Sequence, residues 1–129
     1  MALLFKNDWY ELRVEPGLLR LARTARPFDD LADLKRSDDA VAQVLLARSP
    51  REPRLLLDLR SGPPGRNDPE FERAGADSRR ALATLFTRVA ILVRTAAGRL
   101  QVSRLTREDR TVPGIFLDEG EALAWLTAP

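Results

Sequence analysis

Cysteine and histidine are both absent from the 129 residues. Without cysteine there is no disulfide, no thiol nucleophile and no zinc–thiolate site. Without histidine the chain lacks the commonest general base, the commonest metal ligand and the usual partner of a catalytic serine. A Ser-His-Asp triad is therefore excluded, and any catalysis would rest on carboxylates, Lys6, Lys35, Tyr10 or arginine. The expectation is a protein that is not an enzyme, with no cofactor and no metal. No apolar stretch approaches the ~18 residues that span a bilayer. The start, Met1-Ala2-Leu3-Leu4-Phe5-Lys6, lacks the basic segment and long apolar run of a signal peptide, so a cytoplasmic location is expected. Lysine is scarce too: 19 of the 21 basic residues are arginine.

What is present is ordinary for a globular chain. Hydrophobic residues make up 44% and charged residues 31%, enough apolar material for one core in one domain spanning residues 1–129. The isoelectric point of 9.6 invites a nucleic-acid reading. The charge pattern argues against it, because the net charge is only +2 and basic and acidic residues are nearly balanced in each half of the chain. Nucleic-acid binders gather lysine and arginine on one face.

Residues 10–15 alternate, with Tyr10, Leu12 and Val14 on one side and Glu11, Arg13 and Glu15 on the other. This is a half-buried strand. Pro16-Gly17 is a tight turn, and residues 18–24 return as a second strand with Leu19 and Leu21 inside. Pro27-Phe28-Asp29-Asp30 breaks the strand and offers helix caps. Leu31, Leu34, Val41, Val44 and Leu45 then recur at helical spacing over 31–48, with Ser37-Asp38-Asp39 as an internal restart signal. Residues 54–60, Arg-Leu-Leu-Leu-Asp-Leu-Arg, form a short apolar run suited to a strand covered on both faces. Asp68 and Pro69 fit the N-cap and first position of a helix whose apolar face carries Phe71, Ala74, Ser78, Leu82 and Leu85. Residues 89–93 form another buried strand. A helix follows the Thr95-Ala96-Ala97-Gly98 stretch to about Glu108. Ile115-Phe116-Leu117 runs into a helix that Asp118 caps, with Glu121 placed to complete a capping box. The order is ββαβαβαβα, an α/β chain with a largely parallel sheet.

The hairpin, the 54–60 and 89–93 strands and the ending from Phe116 to Leu126 together resemble the SpoIIAA-like proteins of the STAS superfamily over about residues 8–127. The closing strand and helix are the most specific part. The resemblance implies a mixed sheet with its helices mainly on one face. It also implies a non-catalytic bacterial regulatory module that binds a protein partner, since relatives are anti-sigma-factor antagonists that bind a kinase and are switched by serine phosphorylation. The same group is linked to the CRAL-TRIO lipid-transfer fold, which makes a small-ligand carrier, of lipid or anion type, the alternative. The phosphorylated serine of antagonists falls here at Arg66-Asn67-Asp68-Pro69-Glu70, where no serine stands. A constitutive binder follows, which phosphate on Ser61 or Ser78 would overturn.

Two loops follow buried strands and precede helix starts, where open α/β sheets place ligands and free amides attract anions. They nominate Arg60, Ser61, Arg66, Asn67, Asp68, Arg94, Thr95 and Arg99 as binding residues, with residues 62–71 and 94–99 as the surface. The competing reading is that Asp68 caps its helix and pairs with an arginine. Gly-Lys-Ser/Thr is missing, so the loop is not a nucleotide P-loop. Asp29, Asp30, Asp33, Asp38 and Asp39 lack the spacing of a calcium loop and read as caps and solvated-face acids. Trp9 is the aromatic expected to be exposed, and Trp125 is expected on the core. The apolar residues 1–5 either dock on a partner or a second copy, making a homodimer, or cover the domain's own sheet.

Overall fold

The structure is a computed structural model that describes every residue except 1, 49–50, 64–67 and 110–111. Six strands form one sheet in chain order: β1 (Ala2–Lys6), β2 (Tyr10–Glu15), β3 (Leu18–Arg23), β4 (Arg54–Asp58), β5 (Arg88–Leu92) and β6 (Gly114–Phe116). The first three pair antiparallel, and β3 to β6 run parallel. Four helices connect or close them: α1 (Leu31–Arg48), α2 (Pro69–Ala83), α3 (Ala96–Thr106) and α4 (Glu119–Thr127).

The order expected from the sequence stands, with one strand added at its start. Residues 2–6, apolar but for Lys6, pair with β2 and extend the domain's own sheet. A break in register between Leu3 and Phe5 interrupts this edge, a device that discourages further strand addition. The β2–β3 turn is as read: Glu15 pairs with Leu18 across Pro16-Gly17. Gly17 has φ 79°, a left-handed value that suits the i+2 position of a tight turn and strains any residue with a Cβ.

The period of two sorts the strands onto two cores. Leu12, Leu19, Leu21, Leu55 and Ile91 face α1, α2 and α3. Leu18, Leu56, Ala90 and Leu92 face α4, which buries Ala122 and Leu126 completely. The helices lie mainly on one face, as the resemblance implied. Helix starts follow the expected chemistry: Asp30 Oδ1 accepts from Asp33 N at 2.9 Å, Asp68 from Glu70 N at 3.0 Å and Asp118 from Glu121 N at 3.0 Å. Helix α1 passes through Ser37-Asp38-Asp39 without restarting, because Ser37 is buried and receives a bond from Asn7 Nδ2 at 3.1 Å. Trp9 is half-buried rather than exposed: its ring stacks on Phe28 and its Nε1 donates to the Pro27 carbonyl at 3.2 Å. Trp125 lies at the rim, tilted on Phe116, while Leu126 takes the core position.

Candidate functional site

Between the sheet and helices α1, α2 and α3 lies a cavity of about 350 Å³. Leu21, Leu57 and Ile91 form its floor, and Val41, Leu82 and Val102 stand in its walls. Its lining is overwhelmingly apolar, the usual character of a small-molecule site. Pro27 of the β3–α1 connection and Gln101 of α3 are exposed and mark where the cavity meets solvent. Gly75 of α2 also lines it, and a Cβ there would meet no atom within 4 Å.

A few polar groups enter this apolar space. Asp38 of α1, Tyr10 of β2, Ser78 of α2 and Arg23 of β3 stand near one another in its lining, and Glu72 of α2 lines it too. Burial pushes the Asp38 carboxyl above its ordinary range, against the opposing pull of the Ser78 and Tyr10 hydroxyls. Burial also raises the Tyr10 phenol, and the Asp38 charge adds to that. Arg23 is largely occupied. Its Nη1 donates to the carbonyls of Trp9, Thr24 and Arg26 at 3.1, 3.3 and 3.0 Å. Its guanidinium carbon lies 4.5 Å from the Phe28 centroid and 5.5 Å from that of Tyr10. Asp38 therefore corrects the reading of residues 29–39 as caps and solvated acids: it faces the cavity. Its place four residues after Leu34 and three before Val41 puts a carboxylate inside an apolar stripe, which is the signal that could have found it.

The residues nominated from the sequence are distributed otherwise. The Arg60 carbonyl accepts from Arg94 Nη1 at 2.8 Å, so these two meet. The Arg60 guanidinium turns away, to Asp58 at 2.9 Å and Glu119 at 2.8 Å. Asp68 and Thr95 cap different helices, α2 and α3. Ser61 is exposed, and Arg99 lines a separate shallow recess beside Ser103 and Pro113. Arg66 and Asn67 lie outside the described residues. Within residues 62–71, Pro63 and Phe71 border the cavity.

On the opposite face, Arg20 joins Glu15 at 2.5 Å, Glu119 at 2.9 Å and Asp58 at 3.5 Å. With Arg60 this is a five-member ion network tying the start of α4 to β3 and β4. The hydrogen bonds of Arg60 hold the Asp58 carboxyl below the ordinary range against its burial, and those of Arg20 do the same for Glu119. A carboxylate depressed in the folded state stabilises above the unfolded value, and that stability is lost as pH falls through the folded value. Asp38, raised, has the opposite sign: its contribution is lost as pH rises through its folded value. Thermal melts should therefore show two opposed effects. Stability should drop on acidification below about pH 4, the ordinary carboxylate range. Asp38→Asn should raise the neutral-pH midpoint by a few degrees, on the order of 1 kcal/mol. An unchanged or lower neutral midpoint in that variant would contradict the assignment.

No helix among the described residues is long and apolar enough to cross a membrane, and no group of acids there is arranged to hold a metal ion. No family model and no curated protein matches the chain. It is similar in structure to an uncharacterised protein of the DUF3478 family, with a SpoIIAA-like fold, from Shewanella loihica PV-4. The two share 14% identity and a TM-score of 0.64, over 95% of this chain and 98% of the other. Identity at this level speaks for the fold alone: the chain has a SpoIIAA-like fold.

Proposed function

We propose that the domain is a non-catalytic binding module whose cavity takes a small amphipathic molecule. One observation carries this reading: a largely apolar space of about 350 Å³, with a small group of polar side chains in its lining, lies between the sheet and three helices. The alternative drawn from the resemblance, a small-ligand carrier, gains support from it. The protein-interaction reading finds its support in Pro63 and Phe71, which border both the cavity and the 62–71 surface nominated for a partner. On this view a filled cavity reports its occupancy at the docking surface, and the module is regulatory through its ligand. No phosphorylation is needed.

The neutral dye phenylnaphthylamine tests the reading, since its fluorescence rises on entering an apolar site. Saturable binding at one site per chain is expected. In Gly75→Leu the new side chain grows into open space, so dye binding should fall at least about tenfold while the helix gains about 1 kcal/mol from losing a glycine. Equal dye binding by the two proteins would sink the proposal. Native mass spectrometry of freshly purified protein should show a retained ligand that the leucine variant lacks.

A further inference from the structure

The charges that line the cavity are unequally engaged. Among the described residues two are basic and two acidic: Arg23 and Arg79, Asp38 and Glu72. Arg79 is spent on Asp109 at 3.2 Å and on the Leu105 carbonyl at 3.2 Å, a latch between α2 and the end of α3. Asp109 is almost fully buried and is also held by Arg80 at 3.0 Å, so Arg79 is fixed away from any ligand. Arg23 is pinned by three backbone carbonyls and lies against Phe28. The acids are different. Neither Asp38 nor Glu72 stands in an ion pair among the described residues. Asp38 faces the hydroxyls of Ser78 and Tyr10, and the Arg23 charge acts on it without forming an ion pair. Arg23 is the one lining arginine with no carboxylate partner among the described residues, so two acids stand against one free positive charge and the balance there is negative. A half-buried carboxylate in an apolar space with no ion-pair partner is costly and is relieved by an incoming cation or N–H donor.

We propose that the ligand of this cavity is an apolar compound bearing a protonated nitrogen, which meets the Asp38 carboxylate, with Glu72 as a second acid at the wall. This deepens the ligand-binding reading above and rests on it. The apolar body lies on Leu21, Leu57 and Ile91. A ligand with a carboxylate head would instead bring its charge against two acids, with both arginines already engaged.

Three probes of one body and different heads decide this: phenylbutylamine, phenylbutanol and phenylbutyrate, each titrated as a displacer of phenylnaphthylamine. The amine should displace the dye about tenfold more tightly than the acid, with the alcohol between them. Asp38→Asn should reduce the preference for the amine to about twofold or less, leaving the alcohol nearly unchanged, and Glu72→Gln should reduce it by a smaller factor. Thermal melts of both variants establish that the fold is kept. Equal displacement by the three probes, or preference for the acid, overturns this inference while the ligand-binding reading stands. Failure of the dye and of all three probes to bind overturns both.

Discussion

Arg20→Ala should destabilise the domain by about 3 kcal/mol, measured by urea denaturation at neutral pH, although the residue touches neither the cavity nor any candidate binding loop. The arginine side chain is 14% exposed, and its partners Glu15 and Asp58 are 14% and 13% exposed. Removing it leaves two nearly buried carboxylates with less countercharge than they need, and Asp58 then depends on Arg60 alone. Breaking a buried pair from one side costs more than the pair is worth, because desolvation of the survivors is no longer offset. Glu119 provides the internal contrast. It is 40% exposed, so solvent screens its pairs, and Glu119→Gln should cost less than about 1 kcal/mol. The two substitutions remove opposite ends of the same 2.9 Å contact. Equal losses would show that the network is screened throughout and that the burial argument fails. Arg20→Lys should fall between them: it keeps the charge but loses the fork that reaches Glu15 and Glu119 together.

Leu56→Ala and Leu57→Ala should differ more than neighbours on one strand usually do. Leu56 is fully buried against Ala90, Ala122 and Leu126 on the α4 face. Its truncation opens a new hole in a filled layer and should cost about 3–4 kcal/mol. Leu57 points to the other face and borders space that is already empty. Fewer atoms pack on it, so fewer contacts are lost, and a cost of about 1–2 kcal/mol is expected. The same truncation enlarges the cavity floor and should admit a bulkier apolar probe than the unaltered protein accepts. Equal costs for the two leucines would mean that the cavity is filled by its own walls in solution, which would remove the ground for the ligand-binding proposal.

These contrasts show which parts of the molecule were legible along the chain. The β2–β3 hairpin was, because alternation, a Pro-Gly turn and a return strand are all local. So were α1 and α4: their capping acids and apolar spacing lie within a few turns, and both helices begin where those acids stand. Strands β4 and β5 were marked by continuous apolar runs, the signature of burial on both faces. Strand β1 was not. Its five residues neither alternate nor carry turn signals that define a strand, and pairing with β2 is what makes them one. The eight nominated binding residues were chosen on a local rule about strand ends and helix starts. That rule carries nothing about where side chains turn: Arg60 left for Glu119, 59 residues away.

Local patterning, capping chemistry and the lack of histidine and cysteine thus determined the order of elements from β2 onward and the kinds of chemistry open to this chain. These follow from forces that act within a few residues, or from side chains that are simply not there. The tertiary structure alone decided the rest. It joined Glu15, Arg20, Asp58, Arg60 and Glu119 into one network, and it set Asp38 into an apolar space beside Tyr10 and Ser78. A cavity is a distance between packed elements, set by how three helices stand off one sheet, and no residue in the sequence carries that distance.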